Sequence, residues 1–240
     1  MGDCGLEAEK SKEAVGREAA MLVQSGMRLG LGTGSTVAHF LLSLSERIEN
    51  GVLTDILGVP SSIWTEKRAL ELGIPLTSLA ENPVLDLTID GADEVDPNMN
   101  LVKGLGGALL REKIIAQASR RLAIMVDESK LVENLGTKSP VPVEVVPFEW
   151  DIHLGFIDSM QADAKLRVTS EGNTLVTDNG NFILDCFFED GLQYPEEFEQ
   201  RLASRAGIVE SGLFIQMATE LLVGKVNGVV STLYPKHGDL

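Results

Sequence analysis

The feature that most constrains the fold of this chain is the alternation of short apolar segments with helical segments across its first half. Amphipathic patterns predict helices over residues 5–26, 37–48, 66–72 and 108–119. Short apolar runs predict strands over residues 27–32, 56–60, 75–79, 84–89 and 122–126. A chain that alternates in this way forms a mainly parallel sheet with helices on its faces. The pattern therefore predicts a doubly wound, Rossmann-like α/β domain.

The pattern changes in the second half, where prolines interrupt the chain. The predicted order is a Val-rich strand, a helix, a strand over 166–169, a hairpin around Asp178-Asn179-Gly180, a helix over 196–206 and a strand near Ile208. We expect a smaller α+β, ferredoxin-like domain over 137–211, inserted into an α/β domain made of 1–136 and 212–240.

The last segment is expected to complete the first domain. A helix is predicted over 214–222, and a strand over 226–234 is expected to return to the first sheet.

The charge balance argues against two classes of partner. The chain has 20 Lys and Arg against 36 Asp and Glu, a formal net charge of −16. Such a chain repels nucleic-acid backbones and anionic membrane surfaces, so we expect neither as a partner. An anionic metabolite would have to be held by a few placed cations and backbone N–H groups.

Cys4 and Cys186 give no disulfide framework, and no leader-like segment is recognisable, so a cytoplasmic protein is expected.

The first candidate site is Gly30-Leu31-Gly32-Thr33-Gly34-Ser35-Thr36, which joins a predicted strand to a predicted helix. Backbone N–H groups and a helix N-terminus bind anions at such a junction. The glycine spacing is not that of the dinucleotide fingerprint, and no lysine follows to make a P-loop. Two interpretations stay open, a phosphate site and a plain turn capped by Ser or Thr.

The second candidate, Asp90-Gly91-Ala92-Asp93-Glu94, places three acids directly after a predicted apolar strand. One interpretation is a solvated acidic turn. The other is a pair of carboxyl groups facing one cleft, where mutual repulsion leaves one of them protonated and able to donate a hydrogen bond. The position at the end of a buried strand favours the second interpretation.

The third candidate runs from Lys103 to Lys113 and combines a cation, three glycines and the start of a predicted helix. The glycines allow close approach of a ligand to the backbone, so anion or oxyanion binding is expected. Helical periodicity puts Leu110 and Ile114 on the apolar face and Glu112 away from it. It therefore predicts a solvent-facing Glu112, without distinguishing bulk solvent from an active-site cleft.

Lys130 is a further candidate cation because it follows a predicted strand. The histidines His39, His153 and His237 have no metal-ligand spacing, and the sequence has no zinc signature.

Taken together, these motifs resemble in kind and order those of the ribose-5-phosphate isomerase A family. The matching segments extend over nearly the whole chain: residues 32–36, 61–65, 90–94, 103–113, 130, 142–145, 164–167 and 177–181. The first motif alone also resembles sugar-phosphate deaminases and lactonases of the same general fold, which lack the second and third motifs. A catalytically inactive sugar-phosphate sensor is the alternative from another class.

The resemblance implies an enzyme that interconverts D-ribose 5-phosphate and D-ribulose 5-phosphate through a cis-enediol in the non-oxidative pentose phosphate pathway. It implies no metal, no cofactor and a homodimer or larger homo-oligomer. By motif, Glu112 corresponds to the proton-transferring base, and Asp90, Asp93 and Lys103 to the other catalytic residues. The positions that correspond to substrate-binding residues are Thr33, Gly34, Ser35, Thr36, Asp90, Gly91, Ala92, Asp93, Lys103, Gly104, Leu105, Gly106 and Lys130. Leu105 departs from the family pattern, in which many members have glycine, and raises the question of the loop's conformation.

Overall fold

The computed structural model describes residues 3–235, with side chains from residue 7 onward, so His237 lies outside the described residues. The described residues form six α-helices: α1 Asp3–Met21, α2 Ser35–Glu49, α3 Ile63–Glu71, α4 Leu109–Gln117, α5 Ile152–Asp158 and α6 Pro195–Ala203. They form thirteen strands: β1 Arg28–Leu31, β2 Leu57–Pro60, β3 Leu87–Gly91, β4 Glu94–Val95, β5 Leu101–Val102, β6 Leu122–Asp127, β7 Val141–Val145, β8 Asp163–Leu166, β9 Phe182–Phe187, β10 Ile208–Ser211, β11 Leu213–Phe214, β12 Glu220–Gly224 and β13 Val230–Leu233. None of these helices combines the length and apolar character needed to cross a membrane.

The chain divides into two compact units. The first, called the α/β unit below, takes in the described residues of Met1–Ala92, Arg111–Lys130 and Met217–Leu240. The second, called the small unit, takes in Asp93–Leu110 and Leu131–Gln216.

The small unit includes more of the chain than the domain predicted over 137–211. It takes in β4 and β5 because β5 pairs with β11, which lies near the end of the same unit. The domain limits 1–136, 137–211 and 212–240 stay a prediction.

The α/β unit is built on a six-stranded sheet in the order β13-β12-β6-β3-β1-β2. Neighbouring strands are parallel except for the edge pair β12 and β13. Strands β1, β3 and β6 are almost wholly buried, as expected for continuous apolar runs in a sheet covered on both faces. The predicted mainly parallel α/β class is confirmed.

The strand order reverses between β1 and β3. From β1 the chain moves first to β2 on one side and then to β3 on the other. Loops that leave two parallel strands at such a point diverge, and open α/β sheets bind their ligands in the crevice that results. The loop after β1 begins at Gly32, and β3 ends with Asp90 and Gly91. Two of the predicted motifs therefore flank this crevice.

The core of the small unit has the chain order β7, α5, β8, β9, α6, β10. Its four-stranded sheet has the order β10-β7-β9-β8, and every neighbouring pair is antiparallel. This is the ferredoxin-like arrangement, so the predicted α+β class is confirmed. Apolar side chains of the sheet and both helices, including Val143, Ile157, Leu184 and Phe198, form its core. A three-stranded sheet in the order β11-β5-β4 belongs to the same unit.

The helix predicted over 214–222 is wrong, because this segment contains the end of β11, a loop and most of β12. All five residues of β12 are buried between β6 and β13. Pairing on both edges of a buried strand outweighs a weak helical periodicity. The strand predicted over 226–234 is confirmed as β13. The strand predicted over 75–79 is reduced to a single bridge between Leu76 and Gly58.

The hairpin predicted around Asn179 and Gly180 is also wrong, since only β9, after the turn, is a strand. The turn itself forms, and Gly180 has a φ of 82°. Three side chains of the turn donate to Oε1 of the buried Glu144: Thr177 at 2.9 Å, Asn179 at 3.2 Å and Asn181 at 2.8 Å. These hydrogen bonds fix the segment in place of a second strand.

Candidate active site

Asp90 lies at the end of β3, beside the crevice, and only 1% of its surface is exposed. Its Oδ1 accepts hydrogen bonds from the backbone N–H groups of Thr33 at 3.0 Å and Gly91 at 2.8 Å. The approach requires Gly32, because a Cβ there would lie 2.1 Å from Asp90 Oδ1. The backbone of the glycine motif thus fixes the carboxyl group of the acidic motif.

The Thr33 side chain belongs to a cluster of hydroxyl groups. Thr33 Oγ1 lies 2.8 Å from Ser61 Oγ and 3.0 Å from Thr65 Oγ1, and it donates to Ser62 Oγ at 2.8 Å. Thr65 Oγ1 donates to the Gly32 carbonyl at 2.7 Å. The cluster therefore ties the loop after β1 to the start of α3.

Gly34 and Ser35 form the start of α2 and are both exposed. Gly34 is the N-cap residue, with a φ of 121°, and has no side chain with which to cap the first turn. A helix start without a capping side chain has backbone N–H groups available for an anion, which the helix dipole also attracts. No Ser or Thr side chain caps this turn, so the capped-turn interpretation is wrong, and the phosphate site stays a prediction. Thr36 lies in the same first turn.

Glu112 lies in the first turn of α4 and is 5% exposed. The prediction of a solvent-facing side chain is therefore wrong. Lys113 is also buried, whereas Ile114, assigned to the apolar face, is 46% exposed. Periodicity misplaced the buried face because it assumes that charged side chains face solvent, and here two adjacent ones are buried.

The orientation of α4 follows from its contacts within the α/β unit. A Cβ at Gly30 of β1 would lie 2.5 Å from the Ile115 side chain, so the helix packs closely on the sheet. Leu85, just before β3, donates its N–H to the carbonyl of Ala118, just after the helix, at 2.8 Å. The helix therefore runs antiparallel to β1 and β3, and the turn that carries Glu112 lies toward their carboxyl ends.

Lys130 ends a 3₁₀ turn that directly follows β6 and is half-buried. Because β6 is the parallel neighbour of β3, Lys130 lies at the same edge of the sheet as Asp90. Gly91 and Ala92 continue the chain from Asp90 at that edge and are half-buried. Within the α/β unit, the structure thus brings the predicted residues to the carboxyl ends of three adjacent strands.

Asp93 and Lys103 flank the hairpin formed by β4 and β5 in the small unit. The Asp93 N–H donates to the Val102 carbonyl at 2.8 Å, and Glu94 pairs in register with Val102. Asp93 and Lys103 therefore lie opposite each other just beyond the paired residues. Lys103 is 3% exposed, and its Nζ lies 5.4 Å from the ring centroid of Phe214, within the range of a cation–π interaction.

The loop Gly104-Leu105-Gly106 is held against Asp93. The Leu105 N–H donates to Asp93 Oδ2 at 3.0 Å. Gly104 has a φ of 101°, and a Cβ there would lie 2.7 Å from Leu109 Cβ, so this position requires glycine. Leu105 does not adopt a positive φ, and the residue is 40% exposed. The departure from the family pattern at Leu105 is therefore accommodated without backbone strain.

Glu94, the third acid of the second motif, has a structural role that the sequence did not indicate. It has no exposed surface. Its Oε1 accepts the backbone N–H groups of Lys138 and Ser139, and its Oε2 accepts that of Gly136, all at 2.6 Å. Glu94 thus ties the hairpin that follows Asp93 to segment 136–139. The partners lie more than forty residues along the chain, beyond the reach of any local pattern.

The similarity to known proteins extends over both units. Residues 57–228 match the family model of ribose 5-phosphate isomerase A (phosphoriboisomerase A). The curated ribose-5-phosphate isomerase A of Chloroflexus aurantiacus is 49% identical, and the match covers 92% of each chain. The solved structure of ribose 5-phosphate isomerase from Plasmodium falciparum is 40% identical with a TM-score of 0.92, covering 95% of this chain and 100% of that one.

A second solved structure, of a D-ribose-5-phosphate isomerase in complex with phospho-erythronic acid, is also 40% identical. Its TM-score is 0.91, and the match covers 95% of this chain and 99% of that one. Sequence identity at this level extends over nearly the full length of the relatives. Each of the predicted motifs therefore lies within the matched part of the chain. The chain belongs to the ribose 5-phosphate isomerase A family.

Proposed function

We propose that this chain is an aldose–ketose isomerase that interconverts D-ribose 5-phosphate and D-ribulose 5-phosphate in the non-oxidative pentose phosphate pathway. The observation that carries the proposal is the burial of the charged residues that the family motifs assign to catalysis. Asp90, Lys103 and Glu112 are 1%, 3% and 5% exposed. Burying charged groups is costly, and the family motifs give these three a catalytic use.

Glu112 acts as the base in this proposal. Its carboxylate takes the proton from C2 of the open-chain aldose, and the C–H electron pair forms the C1–C2 double bond while O1 gains a proton. The resulting cis-enediol then loses the O2 proton, and Glu112 returns its proton to C1. The two transfers move one hydrogen from C2 to C1 and one proton from O2 to O1, so the reaction needs no outside oxidant or reductant.

Asp90, Asp93 and Lys103 stabilise the charge that develops on O1 and O2. Lys103 supplies a buried ammonium group, and the proposed roles of the two aspartates include proton exchange with the sugar oxygens and ring opening. A glutamate of ordinary basicity is weak against a sugar C–H, so positioning and oxyanion stabilisation must supply most of the rate enhancement.

The phosphate end of the substrate binds at the start of α2, at Gly34, Ser35 and Thr36, with Lys130 as the cation. The other proposed substrate-binding positions are Thr33, Gly91, Ala92, Gly104, Leu105 and Gly106. The relative solved in complex with phospho-erythronic acid supports a phosphorylated sugar as the substrate. That ligand joins a phosphate to a sugar acid, whose carboxylate resembles an enediolate in charge and planarity.

The test is an assay of the purified chain with ribose 5-phosphate, following ribulose 5-phosphate as product and then the reverse reaction. Turnover in both directions is expected. Release of ammonia from glucosamine 6-phosphate or hydrolysis of a phosphogluconolactone, without isomerisation, would favour the related deaminase or lactonase activity instead. Binding of ribose 5-phosphate without turnover would favour a sensor. The homo-oligomeric state and cytoplasmic location stay predictions.

A further inference from the structure

Arg167 directly follows β8 in the small unit and is fixed by β9. Its backbone N–H donates to the carbonyl of Ile183 at 2.8 Å. Its guanidinium meets both carboxylate oxygens of Asp185, with Nε donating to Oδ2 at 2.9 Å and Nη2 donating to Oδ1. The two side chains are only 9% and 15% exposed. A bidentate pair of this kind holds the guanidinium plane in one orientation.

The third guanidinium nitrogen of Arg167 contacts the loop that follows Lys103. Nη1 donates to the carbonyl of Gly104 at 2.8 Å and to that of Leu105 at 3.0 Å. The Gly104 carbonyl and the Leu105 N–H belong to one peptide group, and in a trans peptide they point in opposite directions. The Leu105 N–H donates to Asp93 Oδ2. One peptide group therefore connects Arg167 on one side with Asp93 on the other.

We propose that Arg167, held by Asp185, is a positioning residue that orients this peptide and so fixes the carboxyl group of Asp93. The inference rests on the proposed function, in which Asp93 acts on the substrate oxygens. Glycine gives the loop more conformational freedom than any other residue, so the peptide needs an external restraint. Donation by a cation to the carbonyl also polarises the peptide and strengthens the hydrogen bond that its N–H makes.

This role accounts for one motif that the proposed reaction leaves unused. Residues 164–167 carry the arginine and β9 carries the aspartate, although both lie far along the chain from Asp93. The alternative role is purely structural, in which the ion pair stabilises the small unit and nothing more. A buried ion pair can often be replaced by apolar residues without loss of stability, so the two roles are separable by experiment.

The decisive variant replaces both partners, Arg167→Met with Asp185→Leu, so that no unpaired charge is left buried. Thermal unfolding and circular dichroism report whether it folds, and steady-state assays with ribose 5-phosphate give kcat and KM. We expect a folded protein whose kcat is at least about tenfold lower, since small misplacements of a catalytic group have effects of this size. Lys165→Met, which removes an exposed cation two residues away, is the matched control and should leave kcat unchanged.

A folded double variant with the kcat of the wild type would overturn the positioning role and leave an ordinary ion pair. If the double variant does not fold, Arg167→Lys decides the question, because it keeps a cation for Asp185 but cannot form the fork. A lower kcat in that folded variant supports the proposal, and an unchanged kcat overturns it. Failure of the proposed function is a separate result, since the wild-type chain itself would then lack isomerase activity.

Discussion

Replacing Glu94 with glutamine is expected to destabilise the small unit by about 2–4 kcal/mol. The side chain has no exposed surface and accepts three backbone N–H groups, from Gly136, Lys138 and Ser139. Glutamine has the same shape but only one acceptor oxygen. If that oxygen takes the place of Oε1, the amide NH₂ faces the Gly136 N–H at the position where a 2.6 Å hydrogen bond existed.

The magnitude follows from the separate hydrogen bonds. Losing the bond to the buried Gly136 N–H costs about 1–3 kcal/mol, because that donor has no replacement partner in the variant. The two other bonds become neutral and lose about half their strength, roughly 1 kcal/mol each. Relief of the desolvation of a buried carboxylate offsets part of this loss. Lys138 and Ser139 lie in a partly exposed segment, where water limits the loss further.

Urea unfolding measures the change if the probe reports the small unit alone. The chain has two tryptophans, Trp64 in α3 and Trp150, which packs against the core of the small unit. In a Trp64→Phe background, fluorescence therefore follows the small unit. Glu133→Gln, an exposed change nearby, is the control and should stay within about 0.5 kcal/mol of the parent. A Glu94→Gln midpoint that coincides with this control would refute the reasoning.

Three further outcomes are expected. Glu112→Gln should stay folded by circular dichroism but lose at least about a thousandfold in kcat, since a positioned base contributes roughly 10² to 10⁴; near-normal turnover would remove Glu112 from the base role. Lys130→Ala should mainly raise KM, because phosphate contacts give largely uniform binding; a fall in kcat at constant KM would contradict that placement. Burial, with Arg205 nearby, lowers the pKa of His153. The contribution of His153 to the free energy of unfolding is therefore complete above about pH 6.5, its pKa in the unfolded chain. That contribution is lost as the pH falls toward the lower pKa of the folded state. Unfolding free energies from pH 8 to 5 should therefore fall more steeply for the wild type than for His153→Gln, and parallel curves would contradict this.

The sheet of the α/β unit could be predicted because its buried strands are short continuous apolar runs. The run over 84–89 overlaps β3, and the polar residues that follow it lie at the strand end as the topology requires. Asp90, Thr33 and Lys130 were therefore predictable as residues of one sheet edge.

Other features have no local signal. The hydrogen bond from Arg167 to Gly104 joins residues 63 positions apart. The hydroxyl cluster around Thr33 joins loops that meet only in the folded chain. Glu112 is buried, contrary to the rule that charged residues face solvent, and exceptions to that rule are expected at functional sites.

The most direct test of the central claim is the isotope content of the product formed in D₂O. If Glu112 carries the proton, it becomes a carboxylic acid between the two transfers and can exchange with solvent. Ribulose 5-phosphate trapped at low conversion should then contain deuterium at C1 by mass spectrometry, and the activity should survive EDTA. Even partial incorporation supports proton transfer, because exchange competes with return of the proton. A product without deuterium, together with loss of activity in EDTA, would point to a metal-assisted hydride shift and contradict the role given to Glu112.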